Sequence, residues 1–192
     1  MSVPPAPSPT VDPLRARFLD AGLRVLANDG FGGFKQSTVC AETGLTTGGF
    51  YHSFKNWKDF ETALIEHWQT EATANVVAQL RTIGSPVERL RALHDATLNL
   101  NHETERAIRT WSATDAMIAE AVVHVDETRR DAVTEFVTDV IGDAQMASLI
   151  AAQSLMVLIG YQCSGVSNEE LSWSIDQIFN YTVSLPTAQA SE

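Results

Sequence analysis

Cysteine is scarce in this chain, and the motifs that are built from it are missing. Cys40 and Cys163 form no CxxC pair and no His/Cys cluster at metal-ligand spacing. Disulfide scaffolds and zinc sites both need several regularly spaced ligands. The sequence therefore predicts two reduced thiols in a cytoplasmic protein without metal or cofactor, and a disulfide or a redox switch is the alternative.

A long apolar run and an export signal are also missing. The Pro-rich start lacks the basic residues and apolar run of a secretory signal peptide. The longest apolar stretch spans residues 146–160 and contains Ser148, Gln153 and Ser154. Since about 20 apolar residues are needed to cross a bilayer, we expect this stretch to be too short and too polar. The chain is expected to be soluble and to have no membrane partner.

Positive charge is in short supply. The 192 residues include 13 Lys and Arg against 24 Asp and Glu, a net charge of −11. Residues 1–60 carry six basic and five acidic side chains, whereas the remainder carries seven and nineteen. Because the larger part of the chain repels phosphate, only its N-terminal third can approach a polyanion. This distribution permits nucleic-acid binding but does not demonstrate it.

Strands are not indicated, because no segment shows sustained alternation of apolar and polar residues. Apolar residues instead recur at helical spacing, as in a long helix predicted from about Asn56 to Ile83. The helix start signals are Asp12-Pro13, Thr46 or Thr47, Ser85–Glu88, Asp115, Asp143 and Ser167–Glu170, and the stop signals are Gly30, Gly44, Gly142 and Pro186. We expect an all-α fold of about nine helices.

Residues 35–60 carry the pattern of a helix-turn-helix. Two helices that meet at a sharp angle need a left-handed residue in the turn, and Gly44 fills that place. The second helix would begin at residues 46–49, where free N–H groups attract phosphate. The residues suited to pack the two helices are Val39, Cys40, Leu45 and Phe50. From the residues alone, an ordinary helical hairpin remains an equal alternative.

The same stretch resembles the DNA-binding domain of the TetR (tetracycline repressor) family. The resemblance covers residues 14–65, and it rests on Gly30-Phe31, Val39–Leu45, Thr46–Tyr51, Phe54 and Phe60. It implies a dimeric repressor that binds double-stranded operator DNA and is released by a small-molecule inducer of unknown identity. The implied organisation is a disordered arm (1–10), a helix-turn-helix domain (11–56), a helical ligand-binding and dimerisation domain (57–186) and a frayed tail (187–192).

The resemblance also assigns residues to the DNA. It places Tyr51 and Thr38 at positions that contact the DNA backbone, and residues 47–49 where bases are approached. The predicted DNA-binding set is Lys35, Gln36, Thr38, Thr46, Thr47, Gly48, Gly49, Tyr51, His52 and Lys55. This chain departs from the family at Ser53, where His is common, and at Trp57, where Lys is usual. For Tyr51 the alternative is a packing aromatic, and for Lys55 and Lys58 it is solvated surface charge.

Large aromatic and polar residues fall on core-facing stretches of the second domain. Such groups line pockets for small organic molecules, although each of them could simply pack. The predicted ligand-binding set is Trp68, His94, Trp111, Met117, Phe136, Tyr161 and Gln162. Aromatic lining in an acidic domain favours an apolar or cationic ligand.

The segment 144–164 is apolar almost all round, so it lies at the centre of the monomer or covers a partner. With the helix at 168–184 it forms half of an intermolecular four-helix bundle, as the resemblance implies. The predicted dimer contacts are Leu149, Ile150, Val157, Ile175, Ile178 and Phe179.

An enzyme and a helical binding module are the two other classes of function that the sequence allows. Ser, His and Asp residues are scattered without a nucleophile elbow, and His94 and His102 have no third metal ligand at fixed spacing. We therefore do not expect an enzyme. A helical module that binds a partner or ligand without binding an operator remains the main alternative, because the basic charge of the first domain is weak.

Overall fold

A computed structural model describes residues 12–187, and these form helices and connecting loops without a strand. The helices are α1 (Pro13–Gly33), α2 (Gln36–Thr43), α3 (Thr47–Ser53), α4 in three consecutive segments (Trp57–Gln69, Thr70–Ala74 and Asn75–Arg81), α5 (Pro86–Leu98), α6 (His102–Ser112), α7 (Ala116–Ile141), α8 (Ala144–Gln162) and α9 (Asn168–Ser184). The predicted all-α fold of about nine helices is confirmed. The predicted arm (1–10) and tail (187–192) lie outside the described residues, apart from Thr187.

Helix ends in this chain are set locally, as predicted. The Asp12 carboxylate accepts a hydrogen bond from the Leu14 amide and so caps α1. Ser167 and Glu170 cap α9 reciprocally. Gly30 breaks α1 with a φ of +64°, which leaves Phe31–Gly33 as a separate last turn. Such φ values are open to glycine and costly for other residues.

Helix α4 is not the regular helix that its apolar spacing predicts. Its middle segment, Thr70–Ala74, is a π-helical turn. Arg129 of α7 donates to the Thr73 hydroxyl (3.1 Å) and to the Ala72 carbonyl (3.5 Å). Single π turns often occur at functional sites. The arginine thus ties two residues of this turn to α7.

The main hydrophobic cluster joins the N-terminal helices to the rest of the chain. It contains Phe18 of α1 and Phe50 of α3, together with Phe60 of α4 and Trp111 of α6. Its packing is continuous across the predicted boundary at residues 56 and 57. Helix α4 therefore leads directly from the first three helices into the larger helical body.

Helix α8 (Ala144–Gln162) extends beyond the apolar stretch 146–160 at both ends. By length and composition alone, Ala144–Gln162 could cross a membrane, contrary to the expectation from the sequence. This is weak evidence, since the core helix of a soluble protein passes the same test. In this fold α8 packs against α6, α7 and α9.

Candidate functional site

Helices α2 and α3 form a helix-turn-helix. Gly44 closes α2 in the left-handed conformation (φ +67°), and its amide donates to the Ala41 carbonyl. The Thr46 hydroxyl then accepts from the Gly49 amide (3.3 Å) and starts α3. Because Val39 and Phe50 are fully buried between the helices, the angle of the motif is held by packing.

Aromatic rings fix α3 on the helices beneath it. The Phe50 ring meets the edges of Phe18 (5.6 Å between centroids) and Phe60 (5.3 Å). Arg15 of α1 lies over the Phe54 ring and donates to the Ser53 carbonyl at the end of α3 (2.7 Å). Helix α3 is therefore held rigidly from one side and is free on the other.

None of the ten predicted DNA-binding residues is buried. Lys35, Thr46, Thr47, Gly48, Tyr51, His52 and Lys55 are exposed, and Gln36, Thr38 and Gly49 are half-buried. The Tyr51 side chain is 56% exposed, although its ring packs edge-on against Phe50. Its hydroxyl reaches Gln36 Oε1 of α2 (3.5 Å), so the two helices share one polar surface.

Thr38 and Gln36, two residues of this surface, differ in their hydrogen bonding. The Thr38 hydroxyl bonds to the Lys35 amide (3.1 Å) and to the Gly33 carbonyl (2.8 Å), which caps α2. The Gln36 Nε2 atom is buried and has no hydrogen-bond partner among the described residues. A buried donor without a partner is costly, so Gln36 is the side chain of this surface with most to gain from a new contact.

The cations near α3 differ in availability. Lys58 of α4 donates to Asp115, the residue that caps α7 (2.7 Å), and this hydrogen bond raises the pKa of Lys58. Arg24 pairs with Glu42 (2.7 Å). Lys55 has no ion pair within the described chain, which leaves it as a positive charge beside Tyr51 and His52.

A second candidate site is a cavity of about 100 Å³ inside the helical body, partly open to solvent. Helices α4, α5, α7, α8 and α9 all contribute to its wall. Most of the wall is aliphatic, including Leu90, Leu93, Val133, Val137, Ile150 and Ile175. From α4 it takes the π turn and the residues after it, Ala72, Thr73, Val76 and Val77.

Of the seven predicted ligand-binding residues, only His94 lines this cavity. Trp68 and Gln162 are buried in a polar network. Trp111 stacks on Phe31, and Met117 lies beside Thr62. Phe136 packs with Val77 and Leu80, and the Tyr161 hydroxyl is hydrogen-bonded to Asn168. The structure does not bring these six together in one pocket, because each is occupied in packing or hydrogen bonding elsewhere. Aliphatic wall residues were missed, since in a sequence they look like any core residue.

His94 lies between two acids at the edge of the cavity. Its Nε2 atom is 2.7 Å from Asp176 of α9, and its Nδ1 atom is 3.0 Å from Asp95. A polar pocket of about 250 Å³ adjoins it and shares His94 and Phe179 with the cavity. The polar pocket therefore marks the side on which the apolar cavity faces water.

A buried polar network lies behind the π turn. Glu105 of α6 accepts hydrogen bonds from Arg129 and from the Trp68 ring (2.9 Å). Burial by itself raises the pKa of the Glu105 carboxyl, but the bonds and charge of Arg129, with the bond from Trp68, outweigh it and hold the pKa below its ordinary value. The network thus keeps an ionised pair inside the protein.

The predicted dimer contacts divide into three groups by their exposure. Leu149 is 62% exposed, whereas Ile150 and Ile175 are buried in their own chain and line the cavity. Val157, Ile178 and Phe179 are half-buried. Ile150 and Ile175 are therefore corrected to core residues, because their faces of α8 and α9 are already covered. The exposed apolar side chains of these helices include Leu149, Met156, Trp173 and Tyr181.

Known proteins resemble this chain in fold but not in overall sequence. No protein-family model and no curated protein matches the chain. Among solved structures, a transcriptional regulator from Rhodococcus sp. matches with a TM-score of 0.71 at 19% identity, over 88% of this chain and 95% of that one. A TetR-family transcriptional regulator from Streptomyces coelicolor matches with a TM-score of 0.70 at 16% identity, over 88% and 96%.

A TetR transcription regulator from Haloarcula marismortui has a TM-score of 0.71 at 15% identity, over 90% of this chain and 97% of that one. Likeness at such low identity is evidence about architecture. The chain therefore has the all-helical fold of the TetR-family transcriptional regulators, as the resemblance of residues 14–65 implied.

Proposed function

We propose that this protein is a DNA-binding transcriptional regulator of the cytoplasm, a homodimeric repressor that a small molecule releases from its operator. The observation that carries the proposal is the polar, exposed side of α3, which presents Thr47 and Tyr51, with Lys55 in the loop that follows. The other side of α3 is fixed by aromatic packing. A rigid helix with free N–H groups at its start suits the major groove and the phosphates beside it.

Helix α4 supplies a route for the response to a ligand. It begins at Trp57, directly after the polar surface of α3, and its π turn and the following residues line the cavity. A molecule that enters the cavity presses on α4, and a shift of α4 changes the angle of α3. In a two-fold dimer this alters the distance between the two α3 helices, which must match half-sites about 34 Å apart.

Binding to the protein's own promoter tests the proposal. Sheared genomic DNA is passed over the full chain, and bound fragments are compared with DNA from its own transcription unit in gel shifts. We expect a pseudo-palindromic site. Lys55→Glu should weaken DNA binding at least tenfold, because it puts a negative charge beside phosphates. The control is Arg91→Glu, which changes an exposed arginine of α5. It makes the same change in net charge and should have little effect on DNA affinity.

The alternative is a helical module that binds a partner or a ligand but no operator. Lys58 favours it, because this cation is already paired with Asp115. A complete lack of DNA affinity at low salt, in a protein that still folds, supports the module and contradicts the proposal.

A further inference from the structure

Three of the four hydroxyl groups in the cavity wall donate within their own helices. Thr97 donates to the Leu93 carbonyl (2.9 Å). Ser154 donates to the Ile150 carbonyl (2.8 Å), and Thr182 does the same to Ile178 (2.8 Å). The fourth hydroxyl, of Thr73, accepts from Arg129 and donates to no described residue, so it is the single hydroxyl donor that the described wall offers to a ligand.

The charged groups of the wall are mostly paired as well. The guanidinium of Arg129 is shared between Glu105, Thr73 and Ala72. Both ring nitrogens of His94 face carboxylates. Arg130 is the exception, since it forms no ion pair in the described part of the chain. It is exposed, so its charge is hydrated.

A charged ligand would therefore lose its hydration inside the cavity, and the only unpaired charge of the described wall, on Arg130, is exposed and hydrated. Burial of an unpaired charge is among the most costly events in a protein interior. An uncharged apolar molecule has no charge to desolvate, and it would gain contact with Leu90, Leu93, Val137 and Ile150. The aliphatic part of the wall therefore favours an uncharged ligand over an ion.

The size of the cavity limits the ligand further. An apolar protein cavity of about 150 Å³ accepts benzene. The present cavity, of about 100 Å³, is smaller but partly open. This volume suits a body no larger than one carbon ring, whose short substituent would point to the opening.

We infer that the ligand of this cavity is a compact, uncharged, monocyclic hydrocarbon or a close relative of it. The inference rests on the proposed function and goes further, because it names the chemistry that the sensing domain accepts. It also narrows the expectation from the sequence, which allowed a cationic ligand: the wall contains no unpaired carboxylate.

Three probes of nearly equal size test whether the cavity prefers an uncharged ligand to an ion. Toluene, benzoate and benzylammonium are titrated separately into the full chain, and binding is measured by calorimetry. Toluene should bind with a dissociation constant at least tenfold lower than that of either ion. Absence of toluene binding overturns the inference, as does a charged probe that binds equally well. Preference for benzoate that is lost in Arg130→Ala would assign an anionic ligand held at the opening.

A matched pair of variants tests the location. Ala96 lines the cavity and Ala152 does not, although both are half-buried alanines in helices. Ala96→Leu should weaken toluene binding at least tenfold, and Ala152→Leu should leave it within twofold. Ser154→Val fills the same wall by a smaller amount and serves if Ala96→Leu does not fold. Equal binding by all three variants overturns the assignment of the cavity.

DNA affinity separates this inference from the proposed function. Gel shifts are repeated with toluene at saturation. Binding of toluene that lowers DNA affinity supports both statements. Binding of toluene to a chain whose DNA affinity is unchanged supports the ligand class and contradicts release by that ligand.

Discussion

Glu105 of α6 and Arg129 of α7 form a buried ion pair through two parallel hydrogen bonds, of 2.9 and 2.8 Å. Their side chains are 2% and 11% exposed. Arg129 also holds the π turn of α4 at Thr73, while Glu105 accepts from Trp68 of the same helix. The pair thus joins α6 and α7 to the helix that leads to α3.

Replacement of Glu105 should be costly. In Glu105→Gln the Arg129 charge stays buried without an opposite charge, and we expect the free energy of unfolding to fall by about 3 kcal/mol. Glu135→Gln removes the acid of the exposed Arg81–Glu135 pair and should cost less than about 1 kcal/mol. Urea denaturation measures both. Similar losses in the two variants would contradict the special role of the buried pair.

Stability should also depend on Glu105 at acid pH. The pKa of this carboxyl is lower in the folded chain than its ordinary value of 4.5, so between these values the unfolded chain binds more protons. Its contribution is complete above pH 4.5 and is lost as the pH falls through the folded pKa. Urea denaturation at several pH values over this range gives the free energy of unfolding. This free energy should fall less steeply with decreasing pH in Glu105→Gln than in the parent chain. Identical slopes would argue against the lowered pKa.

The hydroxyl of Tyr51 should contribute to DNA affinity without reading sequence. Tyr51→Phe keeps the ring against Phe50 and removes one phosphate donor, a loss of about 1 kcal/mol or roughly fivefold in affinity. Fluorescence anisotropy with specific and unrelated DNA should show similar losses for both. Thr110→Val removes an exposed hydroxyl of α6 in the same way; it is the control and should bind as the parent does. A changed sequence preference in Tyr51→Phe would assign the hydroxyl to the bases instead.

The exposed apolar side chains of α8 and α9 should mediate dimer formation. Leu149→Glu places a charge on this surface and should give a monomer or an aggregate in sedimentation, where the parent gives twice 21.0 kDa. Val123→Glu changes an exposed valine of α7 in the same way and should stay dimeric. A parent chain that is monomeric at micromolar concentration would remove the proposed interface.

Glycine at position 44, in the turn of the helix-turn-helix, should stabilise the fold relative to alanine. A Cβ at Gly44 meets no neighbouring atom within 4 Å, so Gly44→Ala is opposed by its φ of +67° alone. The left-handed conformation costs about 1–2 kcal/mol for an L-residue, and the free energy of unfolding should fall by that amount. Gly84→Ala has equal space without a positive φ and should be nearly neutral. Thermal or urea denaturation of both variants checks the difference.

Much of the fold could be predicted because its signals are local. Asp12, Asp115, Asp143 and Ser167 cap the helices that follow them, and each cap needs only the next three residues. The set around Tyr51 remains a prediction that rests on the resemblance of a short, continuous segment, and the structure shows that most of its residues are exposed. The π turn of α4 was not predicted, because its partner Arg129 is far away in the chain.

The sequence by itself determined where helices begin and end, and which short segment presents Thr47, Tyr51 and Lys55 together. Only the tertiary structure decided which side of each apolar helix is covered. Ile150 is buried and Leu149 is exposed, although both belong to a helix that is apolar almost all round. With no polar face to orient such a helix, its rotation follows from packing against α7 and α9. That rotation also separates the cavity wall from the outer surface of the domain.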